Sequence, residues 1–165
     1  MEIIDQSTHS CWRCIPVGIG FVDSATIKNV QLKPYLTFNG QCKEAFSFYE
    51  KCFSAKISFM MTYGDAPVAE HTPPGWNSKI IHSSLSVGEQ MLQGADVLPE
   101  HYQEPQGFSL SLNIDAPDEA DRIFNALAEG GTVQMPLQQT FWASRFGTLI
   151  DQFGTPGMIN CEKPA

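Results

Sequence analysis

Leu32-Lys33-Pro34-Tyr35-Leu36-Thr37-Phe38-Asn39, followed by Gly40, opens the regular part of this chain. Leu32, Pro34, Leu36 and Phe38 alternate with Lys33, Tyr35, Thr37 and Asn39, the period of a half-buried strand. Beyond Asn39-Gly40, the residues Ala45, Phe48, Tyr49, Cys52 and Phe53 recur at i, i+3, i+4, i+7 and i+8. That spacing predicts one apolar face of a helix over about 41–53.

Working outward, strand patterns follow at about 56–63, 79–87 and 89–94, with a Pro- and Gly-bearing loop over 64–77 and a tight turn at Gly88. The same order then recurs. Phe108 to Ile114 alternates as a strand. Pro117, Asp118 and Glu119 suit a first helical turn, and Ala120, Ile123, Phe124, Leu127 and Ala128 repeat the helical spacing. Gly130-Gly131 ends that helix, and a strand resumes at Thr132. Ala45 and Ala120 stand 75 residues apart, and the same offset carries the first two strand patterns onto the later ones. An internal duplication is therefore expected. With strands at 145–151 and 158–162, it gives two βαβββ units, about 31–96 and 106–163, in an α+β fold of paired curved sheets around a cleft.

Composition narrows the function classes. Apolar residues make up 42% of 165, enough for a core, and the 17% charged is too low for a disordered chain. A net charge of −8 with no Lys/Arg cluster argues against nucleic acid and against a basic membrane-surface helix. No apolar run reaches the roughly 18 residues of a membrane span. Cysteines at 11, 14, 42, 52 and 161 are odd in number and irregular in spacing, which points to a reducing, cytoplasmic setting. Cys11 and Cys14 form a C-x-x-C near His9, but no second pair completes a zinc site, and neither strand nor helix pattern flanks it. Glu2 and Asp5 spoil a signal-peptide start. Residues 1–30 are expected to be an extension outside the main fold.

Tandem βαβββ units resemble the vicinal oxygen chelate superfamily, which includes glyoxalase I, extradiol dioxygenases and bleomycin- and fosfomycin-resistance proteins. Particular runs resemble its PhnB-like branch, also labelled 3-demethylubiquinone methyltransferase-like. These are Pro34-Tyr35-Leu36-Thr37-Phe38-Asn39-Gly40 with Ala45-Phe46-Ser47-Phe48-Tyr49, then Lys79-Ile80-Ile81-His82 and Pro105-Gln106-Gly107-Phe108-Ser109. Thr140-Phe141-Trp142-Ala143-Ser144-Arg145-Phe146-Gly147 and Met158-Ile159-Asn160-Cys161-Glu162 complete the set. Gly157 stands where the branch usually carries Trp. No Gly-rich strand-to-helix loop with an acidic partner supports the methyltransferase label. The resemblance also implies a homodimer.

The superfamily's enzymes hold a divalent metal with His and Glu on the first and last strand of each unit. By strand order the matching positions are Pro34, Gln93, Phe108 and Asn160, and a shift of two would bring in Glu162. Two side chains that cannot ligate and two weak amide donors do not make a zinc or iron site. No metal and no other cofactor is therefore expected. His82 is the one histidine in a strand pattern, a pocket candidate, whereas His71 and His101 fall in loops. Phe108, Trp142 and Phe146 are candidate pocket aromatics, and Arg145 between them is a candidate partner for an anionic group. No G-x-S-x-G elbow points to a hydrolase. The expected function is binding a small, partly apolar ligand, anionic if Arg145 takes part, in the sheet cleft without a catalytic metal. The competing class is a metal-dependent lyase, isomerase or dioxygenase of the same superfamily.

Overall fold

Among the described residues, eight strands and two α-helices follow one another in the order the duplication predicts. The structure, a computed structural model, describes residues 30–67, 69 and 72–163. Cys11, Cys14, the expected N-terminal extension up to residue 29 and His71 lie outside the described residues. The first unit comprises β1 (Tyr35–Phe38), α1 (Cys42–Cys52), β2 (Lys56–Thr62), β3 (Ile80–Val87) and β4 (Gln90–Asp96). The second comprises β5 (Leu110–Asn113), α2 (Pro117–Ala128), β6 (Thr132–Gln138), β7 (Ala143–Ile150) and β8 (Pro156–Glu162). Each unit is a four-stranded mixed sheet, ordered β1-β4-β3-β2 and β5-β8-β7-β6. The first and last strands of a unit pair in parallel, and the others antiparallel. The helix carries the chain from the first strand across the sheet to the second, so one face of each sheet is covered by its own helix.

Both sheets start later than the alternation suggests. Leu32 is 97% exposed and Pro34 is exposed, so neither faces a core. Pairing begins where the Pro34 carbonyl accepts the Gln93 N–H, because Pro34 itself has no N–H to give. Phe108 likewise precedes β5. Leu36 and Phe38 are buried in the core with α1, and Leu110 and Leu112 pack against the same core partly buried.

The α1 stripe is wider than predicted. Phe46, fully buried, packs on the sheet, while Phe48 and Phe53 lie beside it partly buried. Phe48 meets Phe153 of the second unit at 5.6 Å, so α1 has two partners rather than one. In each unit a helix phenylalanine lies so close to the sheet that only glycine fits below it. A Cβ on Gly94 would stand 2.8 Å from Phe46, and one on Gly147 would stand 2.8 Å from Phe124.

Two buried carboxylates fix the frame. Asp96, at the end of β4, accepts the Cys42 N–H at 2.8 Å and the Ile80 N–H at 2.7 Å. A side chain from the sheet thus satisfies one of the free N–H groups at the start of α1, where Gln41 offers no side-chain cap. Asp151, after β7, accepts the N–H groups of Phe153 and Thr155 and shapes the turn into β8. Burial pushes the carboxyl groups of both above the ordinary range, against the lowering effect of their hydrogen bonds.

Candidate functional site

Side chains on laterally paired residues share a sheet face, so the register shows what each uncovered face carries. In the first sheet Tyr35 pairs with Gln93, Gln93 with Ser84, and Ser84 with Phe59. These four form a row on the face away from α1. Met61 pairs with His82 beside it. Tyr35 is 49% exposed and Phe59 44%. The His82 ring stacks on Tyr35 at 5.8 Å and lies tilted against Phe59 at 5.8 Å. Polar atoms run through the same row. Tyr35 Oη lies 3.2 Å from His82 Nδ1, and Ser84 Oγ lies 3.3 Å from His82 Nε2. Gln93 Nε2 donates to Ser84 Oγ at 3.3 Å. Partial burial, and after it the nearby Cys42 and Tyr63, raise the Tyr35 phenol above its ordinary range, so it is protonated at neutral pH.

In the second sheet a similar paired row is Asn113, Asn160, Phe146 and Gln138. Asn160 Nδ2 donates to Asn113 Oδ1 at 3.1 Å, and Asn160 Oδ1 is buried without a partner among the described residues. Trp142 packs edge-on against Phe146 at 5.3 Å, and Phe141, 88% exposed, packs edge-on against Trp142. Both uncovered faces therefore combine exposed rings with uncharged hydrogen-bonding groups.

The residues proposed from sequence are spread over several places. Trp142 and Phe146 come together on the second sheet, and His82 lies on the first. Phe108 is 49% exposed ahead of β5. Arg145 differs from the expectation that grouped it with Trp142 and Phe146. It pairs with Cys161 on the helix side of the sheet, and its guanidinium binds Asp121 of α2 at 2.7 and 3.3 Å. The physical reason is the two-residue period of a strand, which sends Arg145 and Phe146 to opposite faces. The hydrogen bond to Asp121 first, and its charge second, hold Arg145 firmly ionised. Tyr35, Ser84 and Phe59 were not singled out as pocket residues from the sequence. Their signal was present in β1, where Tyr35 and Thr37 take the strand positions opposite Leu36 and Phe38.

A separate cleft of about 540 Å³ runs along β5, one of the two edge strands of its sheet. Phe53, Val87, Leu92, Leu110, Leu112 and Ile123 give it an apolar lining drawn from both units. Successive residues of β5 line it, as a strand seen edge-on requires. Phe108, Trp142, Arg145, Phe146 and His82 are not among its lining residues.

The positions that could hold a metal also shift by register. Pro34 and Phe108 precede the strands, and the lateral pairs on the uncovered faces are Tyr35–Gln93 and Asn113–Asn160. One phenol and three amides do not suit zinc or iron, which favour imidazole, carboxylate or thiolate donors. Glu162, at the end of β8, is exposed beside Ala143 and adds one carboxylate. Among the described residues, no three His, Cys, Asp or Glu side chains group as a metal site.

Residues 30–156 match the family model described as 3-demethylubiquinone-9 3-methyltransferase. Protein YjdN of Escherichia coli K12 is 33% identical over 140 residues, covering 80% of this chain and 95% of its own. The crystal structure of protein PA1353 from Pseudomonas aeruginosa is 47% identical, with a TM-score of 0.76 over 82% of this chain and all of its own. A fosfomycin resistance protein, FosX, from Listeria monocytogenes shares the fold at 12% identity, with a TM-score of 0.57 over 83% of this chain and 95% of its own.

Proposed function

The chain belongs to the 3-demethylubiquinone-9 3-methyltransferase family, the PhnB-like branch of the vicinal oxygen chelate fold, and from that premise we propose that it binds a small, partly apolar molecule against its uncovered sheet faces. The observation that carries this reading is the row Tyr35, Gln93, Ser84 and Phe59, with His82 beside it. Half-exposed rings lie there next to hydrogen-bonding groups, and no helix of the unit covers them. Apolar area with a few convergent polar atoms is the usual make-up of a ligand site.

The methyl transfer in the family's description finds little support in these residues. Transfer from a nucleotide-like donor calls for a Gly-rich turn between strand and helix. The β1–α1 connection has Gly40 alone, and the β5–α2 connection is Ile114-Asp115-Ala116. Amide and phenol donors favour direct hydrogen bonding to a ligand over chelation, so the binding reading excludes a catalytic metal. The anionic ligand suggested by Arg145 gives way to a neutral one, because Asp121 already neutralises that guanidinium. A homodimer fits this function, since a second copy laid over an uncovered face would enclose a molecule held there. A cytoplasmic setting fits the buried free thiols of Cys42, Cys52 and Cys161.

A thermal-shift screen of aromatic and aliphatic metabolites tests the proposal. A compound that stabilises the protein should lose its effect in Phe59→Ala or in Trp142→Ala. Stabilisation that survives both substitutions would overturn the sheet-face reading.

A further inference from the structure

We propose that the hydrogen bonds through Gln93, Ser84 and His82 run in one direction, so that Tyr35 presents its O–H to the carbonyl oxygen of a flat, neutral, conjugated ligand. The inference rests on the uncovered face of the first sheet being a ligand site, and it adds the chemistry of what is held there.

The direction follows from counting donors. Gln93 Nε2 has hydrogens only to give, and it gives one to Ser84 Oγ. Ser84 is 5% exposed, so its own proton needs an acceptor within the protein. The acceptor beside it is His82 Nε2, at 3.3 Å. A neutral imidazole that accepts at Nε2 carries its hydrogen on Nδ1. That hydrogen points to Tyr35 Oη, 3.2 Å away. Tyr35 thus accepts from His82, and its phenolic proton is directed away from the chain of donors. Accepting a hydrogen bond polarises the phenol and strengthens the one it donates.

The surroundings define the ligand class. Tyr35 and Phe59 each meet the His82 ring at 5.8 Å, which gathers three rings into one patch for a conjugated molecule to pack against. The row Tyr35, Gln93, Ser84 and Phe59 holds no carboxylate, ammonium or guanidinium, so it offers hydrogen bonds and rings but no ion-pair partner of its own. An aryl ketone, or another conjugated carbonyl compound, meets both conditions.

Two probes of nearly equal shape separate the outcomes. In 2-acetylnaphthalene a carbonyl is conjugated to the ring, and in 2-isopropenylnaphthalene a C=CH2 replaces it. Binding would be followed by side-chain NMR of Phe59 and His82. The ketone should bind about three- to tenfold more tightly, the worth of one net hydrogen bond. Tyr35→Phe should erase the preference. In mildly alkaline solution, the 15N spectrum of His82 should show hydrogen on Nδ1 in the wild type and on Nε2 in Ser84→Ala. Equal affinity for both probes, a preference that survives Tyr35→Phe, or hydrogen on Nε2 in the wild type would overturn the inference and leave the sheet-face reading standing. If neither probe perturbs Phe59 or His82, the first-sheet site falls together with the inference.

Discussion

The Tyr49 hydroxyl of α1, in the first unit, donates to Asp151 Oδ2 of the second at 2.6 Å and lies 2.9 Å from Thr155 Oγ1. Tyr49 is 1% exposed, and its ring stacks on Phe53 and meets Phe153 edge-on. One side chain thus ties the two halves of the duplication through both its ring and its hydroxyl. Tyr49→Phe keeps the ring and leaves a buried carboxylate short of a donor. We expect a loss of about 1–3 kcal/mol in denaturant unfolding. A change under about 0.3 kcal/mol would show that the contact does not hold the units together.

Asp151 gives a pH dependence of definite sign. Burial raises its carboxyl above the ordinary value of about 3.9. A raised carboxyl stabilises the fold fully below its unfolded pKa, and that contribution is lost as pH rises through the folded pKa. The stability of the wild type relative to Asp151→Asn should therefore rise as pH falls from about 7 to about 4. A relative stability that is flat, or that falls over that window, would contradict the burial effect.

Gly147 tests the fit of α2 on its sheet. A Cβ there would stand 2.8 Å from Phe124 and 3.0 Å from the Leu137 backbone, which cannot move aside cheaply. Gly147→Ala should cost about 1–3 kcal/mol, the range of core overpacking. Gly157→Ala, whose added Cβ would meet Leu149 at an ordinary 3.5 Å, should cost much less. Thermal unfolding of the two variants checks the order.

Much of this fold could be read from residue spacing alone. Two helical stripes at one offset gave the duplication, and the glycines and prolines between strands gave the connections. The site was less accessible, for a geometric reason. Tyr35, Gln93, Ser84 and Phe59 meet only through cross-strand register, which joins residues up to 58 positions apart and leaves no local pattern. Arg145 was misplaced for a related reason. Strand alternation and the register shift between Ala143 and Arg145 part its side chain from Trp142 and Phe146, although the three stand within five residues.

Donor chemistry sets the expectation for metal. The paired positions on the uncovered faces offer Tyr35, Gln93, Asn113 and Asn160. Treatment with a chelator should leave the melting temperature unchanged, and elemental analysis should find well under one zinc, iron or nickel per chain. One equivalent bound on a sheet face would favour the metal-dependent enzyme instead.

Crystals soaked with a set of small neutral aromatic compounds test the central claim most directly. The account predicts electron density for the compounds against Tyr35, Phe59 and His82 on the first sheet, or against Trp142 and Phe146 on the second. Density confined to the β5 cleft beside Leu110, Leu112 and Ile123, with both uncovered faces empty, would contradict it.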